Sequence, residues 1–444
     1  MLAYRRPPRD HVAALSDEWV SPCCVNVQPA DLSRARRYGA LVQDPSIAST
    51  AIRERRAWMI VAVGTMCSAL PVFLTGAVGV QLRDDLDITA TAIGLSMGVS
   101  FAVAALLSAP MGRLAQRLGP QRGFRAGLAT TASAVVAISM FADSVLALAL
   151  LLAVAGAANA LNQPSANLLL ASHVDPQRLG FAFAVKQSGM PAAALVGGVA
   201  VPAVALTVGW EWAYAGAGVL ALVVMVLLPP DRADVAIPTR SSSGKAARPD
   251  MRTSLLALYA AVGFLGAMHA GAMVGFITSG AEESGISPGV AGLVLSFGSA
   301  TGIASRLYQG WRVDKSGMLP IQRLILLYFV GGLGALVLAV DVPITYLLAP
   351  IPAFAFGWAW PGLFNLSVIR NNPSAPGAAT GITQIGVFIG AAAGPALGGV
   401  IVDAGGYRWL WLTGAAALFV GSALAALLRR EIRASRLDSE RVAR

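Results

Sequence analysis

Charged residues are scarce in this chain of 444 residues: Asp, Glu, Lys and Arg together make up 13% of it, roughly half of their share in an ordinary soluble domain. Hydrophobic residues make up 56%. They form long blocks such as 57–82, 253–277 and 409–428. Because an apolar block of about 18 residues can cross a bilayer as a helix, the composition excludes a soluble domain and predicts an all-α membrane protein.

Cysteine and histidine are also rare, with three residues of each type. Three cysteines are too few for a disulfide framework. His11, His173 and His269 lie in separate regions, so they cannot build a His-rich metal site or the base of an intramembrane enzyme. No Walker-type phosphate loop is present either. We therefore expect no enzyme activity, no bound cofactor or metal and no ATP drive, while a non-transporting membrane sensor stays open.

The formal net charge of +10 would by itself suit a nucleic-acid-binding protein. The basic residues, however, lie mostly in the tails and in short loops between apolar blocks. No basic stripe with interleaved aromatic residues accompanies them, so nucleic acid is not an expected partner. The charge is better explained by a membrane protein with basic loops on one side.

Twelve apolar runs, separated by charged or turn-rich breaks, predict twelve transmembrane helices. The first six would form an N-terminal bundle over 56–228 and the last six a C-terminal bundle over 253–428. The predicted spans are 57–82, 89–111, 123–141, 145–170, 180–205 and 210–228, followed by 253–277, 288–309, 320–340, 344–368, 377–402 and 408–428.

Three polar segments flank and connect the two bundles. Residues 1–55 lack an apolar core of signal-peptide length; they are either a disordered cytoplasmic tail or the product of a start codon assigned too far upstream. Residues 229–252, which include the run Ser-Ser-Ser-Gly-Lys at 241–245, are expected to be a flexible cytoplasmic linker. Residues 429–444 are expected to form a basic cytoplasmic tail.

The loops predict how the chain is oriented, because cytoplasmic loops of membrane proteins carry an excess of Lys and Arg. Basic residues concentrate in alternate loops, so both termini are expected in the cytoplasm, with the protein in the inner (plasma) membrane as a monomer. The basic side has Arg113, Arg117, Arg122, Arg232, Arg240, Lys245, Arg248, Arg252, Arg312, Lys315 and Arg323, and the other side has Asp84, Asp85, Asp87, Glu282 and Glu283, with Arg83 and Arg408 as exceptions.

The two halves of the sequence repeat each other. A shift of about 197 residues superimposes identical Gly, Pro, Gln and Trp residues, and shared Gln, Trp and Pro at one shift are harder to ascribe to chance than shared Gly. Parallel six-helix repeats place a substrate site at their interface near the bilayer midplane. The matching pairs include Pro164 and Pro361, Gln187 and Gln384, Gly189 and Gly386, and Trp212 and Trp409.

Two loops in equivalent positions share a pattern: residues 112–119 read GRLAQRLG, and residues 310–317 read GWRVDKSG. Both resemble the loop pattern Gly-x-Leu-Ala-Asp-Arg-x-Gly of the major facilitator superfamily of secondary transporters. The resemblance implies the twelve-helix fold of two six-helix repeats, and loops that control conformation. The residues concerned are Gly112, Arg113, Gln116, Arg117 and Gly119 in the first loop and Gly310, Asp314, Lys315 and Gly317 in the second.

In that family the loop glycine lets neighbouring helices approach, and the acidic residue helps to latch the cytoplasmic face. Asp314 and Lys315 match those roles in the second loop. Gln116 replaces the acid in the first loop, and a neutral amide supplies no charge for a latch. The alternative is that both loops only fix the topology of the chain.

Ionisable side chains within membrane helices are costly, so those present are functional candidates. Lys186, His269 and Arg306 are the candidates here. Lys186 and Arg306 lie close enough to the cytoplasmic loops to snorkel to that surface instead. His269 has the alternative of a neutral packing role.

The candidate cations have no evident carboxylate partner near the middle of the membrane, and an uncompensated cation favours an anionic substrate. Arg306 lies four residues before Gly310. In this position it resembles the substrate-binding Arg of monocarboxylate and oxalate/formate carriers within the superfamily. Gly302 departs from the pattern of those carriers that place an acidic partner one turn earlier.

Uncharged amides form a second group of candidate substrate contacts. Asn159 lies three residues from Asn162 and four from Gln163, so the three share one helix face. Gln187 and Gln384 are placed symmetrically by the repeat. Hydrogen bonding between helices is the alternative role for such amides. The complete group is Asn159, Asn162, Gln163, Asn167, Gln187, Asn365 and Gln384.

These observations favour a secondary active transporter that moves a small, anionic organic solute by alternating access. The alternative is a proton-driven efflux pump for drugs or metabolites, against which stands the lack of a carboxylate in the first and fourth spans. The expected partners are the solute, the lipid bilayer and, as a coupling ion, the proton. If protons are coupled, His269 is the readiest side-chain carrier, unless the substrate itself brings the proton.

Overall fold

The computed structural model describes residues 45–174, 179–228, 249–316 and 319–442, and in these ranges it contains helices and no strand. Contacts divide the chain into two units, Met1–Arg53 and Glu54–Arg444. Of the first unit only residues 45–53 are described, and they belong to the first helix. The predicted tail up to residue 44 and most of the predicted linker, 229–248, lie outside the described residues.

Among its described residues the N-terminal half has nine α-helices and one π-helical turn, which account for the first six predicted spans. The fifth span is divided, with a π-helical turn at Val201–Ala205. The helices are α1 (Pro45–Ala77), α2 (Gly79–Leu86), α3 (Ala90–Leu118), α4 (Pro120–Phe141), α5 (Val145–His173), α6 (Leu179–Gln187), α7 (Gly189–Ala200), α8 (Leu206–Val208) and α9 (Trp210–Leu227).

The described residues of the C-terminal half form eight helices, which account for the other six predicted spans. The helices are α10 (Thr253–Glu283), α11 (Pro288–Ser316), α12 (Pro320–Leu338), α13 (Pro343–Leu348), α14 (Pro350–Gly357), α15 (Pro361–Arg370), α16 (Pro376–Gly405) and α17 (Tyr407–Val442).

Eleven helical segments of the described residues are long and apolar enough to cross a membrane. The predicted span 344–368 is not among them, because its chain is divided into the three short helices α13, α14 and α15. Each of these begins with a proline, Pro343, Pro350 or Pro361. Proline lacks the N–H that would continue the preceding helix, so it breaks a helix and readily starts the next one.

Two helices extend beyond the predicted spans. α1 begins at Pro45, so residues 45–55 of the predicted tail are helical, and α17 continues to Val442, so most of the predicted basic tail is helical as well. Both extensions are polar but rich in Ala, Arg and Glu, which favour helix. Hydropathy finds only the apolar part of a helix. It therefore places the start of α1 too late and the end of α17 too early.

The two ends of the helical bundle differ in charge. The end at which α2 and α10 finish has Asp84, Asp85, Asp87, Glu282 and Glu283, and we call it the acidic end. The opposite end, where α3 and α11 finish, is the basic end.

One seam between the two halves is formed by α3 and α16. A Cβ atom added to Gly94 would clash with the backbone carbonyl of Pro395, so the two helices are in backbone contact there. At the acidic end of the same seam, the carboxylate of Asp403 accepts hydrogen bonds from the backbone N–H groups of Ala90 (3.1 Å) and Thr91 (2.7 Å). An acid from one half thus caps the first turn of a helix in the other half.

The second seam is formed by α7 and α11. Gly198 and Gly292 face each other, and a Cβ atom on either would strike the backbone carbonyl of the other. Next to them, the hydroxyl of Ser296 donates to the carbonyl oxygen of Leu195 at 2.9 Å. Small residues allow this close approach of membrane helices, and together the two seams close the acidic end.

The first glycine of each loop motif, Gly112 or Gly310, is not in close contact with another helix in the described part of the chain. Both lie near the basic end, and a Cβ atom added to either would meet no heavy atom of another described segment within 4 Å. Close approach at these two positions would require a different arrangement of the halves from the one described here.

Replacing Asp403 with Asn should weaken the closure of the acidic end. The two carboxylate oxygens of Asp403 each accept one bond, from Ala90 and from Thr91, whereas Asn keeps only one acceptor oxygen. Asn also removes the negative charge next to the helix N-terminus, which alone is worth about 1 kcal/mol or about a fivefold change in population. The measurement is pulsed electron paramagnetic resonance on spin labels at Asp87→Cys and Ala404→Cys, in a chain without its native cysteines. The fraction of molecules with a longer distance between the two labels should increase.

Asp143→Asn is the matched control, because Asp143 is an exposed acid at the same end, in the turn between α4 and α5. It should leave the distance distribution unchanged. Identical distributions for Asp403→Asn and the unaltered chain would show that the cap does not hold this end closed.

Candidate functional site

Lys186 is the centre of a polar network in the N-terminal half. Its Nζ atom donates hydrogen bonds to Oε1 of Gln163 (2.7 Å) and Oδ1 of Asn167 (2.8 Å), and its side chain is 3% exposed. It therefore turns towards α5 and does not snorkel to the basic end. An ammonium group has three N–H donors, and these two partners within the described residues are neutral amides.

The network continues from Gln163 towards α1. The side-chain amide of Gln163 donates to Oδ1 of Asn159 at 3.1 Å, and the hydroxyl of Ser68 donates to the same oxygen at 2.8 Å. Asn162 donates to Ser68 (3.2 Å) and to Thr131 (3.3 Å). The three amides predicted to share a face of one helix do so, and they link α5 to its neighbours.

Asn162 has one group that this network does not satisfy. Its Oδ1 atom is buried without a hydrogen-bond partner among the described residues. A buried acceptor without a partner costs free energy, so this oxygen is a place where a water molecule or a polar ligand group would be stabilised.

Arg306 lies at the contact between the two halves. Its Nε and Nη2 atoms donate to the backbone carbonyl of Trp358 at 3.2 Å and 2.6 Å, and its Nη1 atom donates to the backbone carbonyl of Gln187 at 3.3 Å. The guanidinium carbon is 5.0 Å from the centre of the Trp358 ring, which is a cation–π distance. The side chain therefore points into the bundle, in contrast to the snorkelling alternative.

Breaks in two helices make these carbonyls available. In a continuous helix the carbonyl of Gln187 would accept from the N–H of residue 191, but that residue is proline and has no N–H. Trp358 lies between the end of α14 and the start of α15 at Pro361. Carbonyl groups at such breaks have no partner in their own helix, so a cation from a neighbouring helix can bind them.

Aromatic rings connect Arg306 to the polar network. The rings of Phe73 and Trp358 are 5.9 Å apart and nearly perpendicular. Phe73, Asn159 and Ser68 also line a cavity of about 10 Å³, which is about the volume that a single water molecule needs. This conformation has too little room at that point for an organic solute, so binding would require the helices to separate.

The C-terminal half contains a simpler version of the same arrangement. Nε2 of Gln384 donates to Oδ1 of Asn365 at 2.9 Å, and the two residues are 19 apart in sequence, as are Lys186 and Asn167. The hydrogen bonds therefore relate Gln384 to Lys186, not to Gln187 as predicted from the repeat. Gln187 instead has an exposed side chain and contributes its backbone carbonyl.

His269 lies away from the polar network, in the interior of the C-terminal half. A Cβ atom on Gly357 would lie 3.0 Å from its Nε2 atom, and one on Gly414 would lie 2.7 Å from its Nδ1 atom. The imidazole thus occupies a space left by two glycines of α14 and α17. Its Nε2 atom has no hydrogen-bond partner within the described residues, so a packing role fits this position better than contact with a solute.

The loop-motif residues of the first half lie at the basic end, where Arg113, Gln116 and Arg117 are exposed and Gly119 begins the turn to α4 with a positive φ of 81°. Those of the second half are described in part. Gly317 and the side chains of Asp314 and Lys315 lie outside the described residues, so the expected latch stays a prediction.

The fold and the site together define a polytopic α-helical membrane protein with polar groups at the contact between two repeated halves. A family model described as Major Facilitator Superfamily matches residues 61–383, which is well over half of the chain. The chain therefore belongs to this superfamily. It is a membrane transporter and not an enzyme, and its substrate is a small molecule. A search of curated proteins found no match.

Proposed function

We propose that this transporter moves a small, anionic organic solute across the membrane by alternating access. The observation that carries the proposal is that two cations, Lys186 and Arg306, are held within the bundle by neutral oxygen atoms. A charge inside a membrane protein is costly unless it is paired. An anionic solute would supply the missing negative charge, and hydrogen bonds between ions are stronger than those to neutral acceptors.

Arg306 offers a way to couple binding to conformation. Its bond to the carbonyl of Gln187 joins α11 of one half to α6 of the other. A carboxylate that binds the planar guanidinium fork in a bidentate manner would compete with this neutral carbonyl. Binding would then remove one contact between the halves and favour a second conformation in which they are arranged differently. The solute would thus have different affinities for the two conformations, which alternating access requires.

Lys186 is proposed as the second cationic contact. Gln163 and Asn167 position its ammonium group, and the third N–H donor, which has no partner among the residues that the structure describes, would bind a solute. Asn159, Asn162, Gln187, Asn365 and Gln384 would provide neutral contacts around it. His269 is the least suited of the predicted contacts, because it is enclosed by Gly357 and Gly414.

A proton-driven exporter of cationic compounds is less consistent with these contacts, since no carboxylate is found among the partners of Lys186 and Arg306 in the described part of the chain. In the anion carrier, a proton can cross together with the solute as the undissociated acid. A coupled proton would then need no dedicated side chain.

Replacement of Arg306 tests the proposed function. Arg306→Ala should abolish uptake of the anionic substrate into proteoliposomes while insertion and folding stay near normal, because the charge and the fork are both lost. Arg306→Lys keeps the charge without the fork and should transport poorly. A purely structural arginine would give the opposite pattern, with Lys working well and Ala lowering the amount of folded protein.

Arg408→Ala is a suitable control for the loss of one positive charge, because Arg408 is exposed at the start of α17 and lies outside the site. It should transport at the unaltered rate at matched protein levels. Transport and solute affinity that are unchanged in Arg306→Ala would remove this residue from the site and withdraw the main support for an anionic substrate.

We further propose that the basic end faces the cytoplasm of the inner membrane, with both termini on that side and the protein a monomer. The positive charge of the loops at this end supports the orientation. Single cysteines at Arg117 and Ser242 should react with a membrane-impermeant thiol reagent only after the membrane is opened, whereas cysteines at Asp85 and Glu283 should react in intact cells. Labelling of position 242 from outside would contradict this orientation.

A further inference from the structure

A second cavity lies far from the candidate site, at the basic end of the C-terminal half. It has a volume of about 620 Å³, within the usual range for pockets that bind small organic groups. It is formed where α12 begins and α15 ends, against the last third of α17. The lining residues are Leu319, Pro320, Ile321, Gln322, Ser367, Arg370, Asn371, Arg429, Ile432 and Arg433.

The lining combines two kinds of surface. Three arginines, Arg370, Arg429 and Arg433, contribute positive charge, and no acidic residue is found among the described residues of the lining. Leu319 and Ile432 are among the apolar residues beside them. A soluble anion needs only the cationic part of such a pocket, whereas a molecule with an anionic group next to hydrocarbon matches both parts.

The position of the cavity along α17 places it near the membrane surface. α17 has 36 residues, so at 1.5 Å per residue it is about 54 Å long, whereas the hydrocarbon core of a bilayer is about 30 Å thick. Arg429 lies about 33 Å along this helix from Tyr407. The arginines are thus at the level where a membrane helix leaves the hydrocarbon and reaches the phosphate groups of the lipids.

We propose that this cavity binds the phosphate-bearing head group of an anionic phospholipid. The arginines would donate charge-assisted hydrogen bonds to the phosphate, and the apolar part of the lining would contact the start of the acyl chains. Basic pockets between helices on the cytoplasmic side suit such head groups. None of the lining residues is among the hydrogen-bond partners of Lys186 or Arg306 in the described part of the chain, so we treat this lipid site as separate from the proposed substrate site.

The test compares phosphatidylglycerol with phosphatidylcholine of the same acyl chains, added to the purified full-length protein in detergent. Native mass spectrometry counts bound lipid, and thermal unfolding measures stabilisation. The double variant Arg429→Gln/Arg433→Gln should lose affinity for phosphatidylglycerol by about fivefold for each arginine, or about 25-fold in total. Binding of phosphatidylcholine should change little.

The matched control is Arg408→Gln/Arg430→Gln, which removes two exposed arginines from the same helix without changing the lining. It should bind phosphatidylglycerol as the unaltered chain does. Arg370→Gln removes one lining arginine from a different helix and should also weaken the binding of phosphatidylglycerol. This single variant still tests the proposal if the double variant does not fold. An equal loss in the control, or no loss in Arg370→Gln and in a folded double variant, would overturn the proposal.

Glycerophosphoglycerol distinguishes a lipid from a soluble phosphate compound. It carries the same phosphodiester as phosphatidylglycerol without the acyl chains, so it should stabilise the protein only weakly and should not displace phosphatidylglycerol at equal concentration. If it stabilised the protein as well as the lipid does, and lost that effect in Arg370→Gln, the cavity would be a site for a soluble phosphate and the assignment to lipid would be wrong.

Discussion

The cost of placing a positive charge among membrane helices is the constraint on which the candidate site depends. Arg306 satisfies it with carbonyl oxygens that are free because Pro191 removes a helical donor from Gln187 and because the chain is broken after α14. Lys186 satisfies it with amide oxygens from α5. Both solutions provide hydrogen bonds without negative charge, so the site stabilises its cations while keeping their attraction for an anion.

The breaks in these helices therefore provide hydrogen-bond acceptors for a neighbouring cation, as the carbonyl groups of Gln187 and Trp358 show for Arg306. A continuous helix uses its own carbonyls and presents only side chains to its neighbours, whereas the breaks at Gln187 and Trp358 expose backbone acceptors within the bundle. Trp358 also contacts Phe73 of the other half through its ring. One interrupted segment of the C-terminal half thus contacts both the cation and the opposite half. A change in the charge near Arg306 would therefore affect the contacts that hold the two halves together.

The two seams show how a sealed end can be built without many charged pairs. Gly94 with Pro395, and Gly198 with Gly292, bring the backbones of opposite halves into contact, and Asp403 adds one charged cap at the N-terminus of α3. The loop glycines Gly112 and Gly310 have no such neighbours in the described segments. Glycines that would allow close contact of helices are thus present at both ends of the bundle. In this conformation those at the acidic end are in contact.

Much of the fold is predictable because membrane spans are a property of about twenty consecutive residues, which hydropathy measures directly. The segment 344–368 could be recognised as apolar, but its division into α13, α14 and α15 follows from three prolines that hydropathy ignores. The polar ends of α1 and α17 were missed because these helices continue with few apolar residues, which hydropathy does not recognise as part of a span.

The candidate site was predictable only in part. The shared face of Asn159, Asn162 and Gln163 follows from spacing within one helix. The contact between Arg306 and Trp358 joins residues 52 apart in different helices, so no local pattern predicts it, although the four-residue spacing of Gln187 and Pro191 indicates a free carbonyl. His269 was expected at the site because it is ionisable, whereas its position depends on the space left by Gly357 and Gly414.

The central claim is that the site selects negative charge. Its most direct test is thermal unfolding of the purified protein against small solutes of similar size that differ in charge: mono- and dicarboxylates, sugars, zwitterionic amino acids and organic cations. A solute that binds the folded protein raises its unfolding temperature by an amount that grows with the logarithm of the ratio of its free concentration to its Kd. The account predicts stabilisation by one or more carboxylates and by none of the cations. Stabilisation by organic cations alone would contradict it.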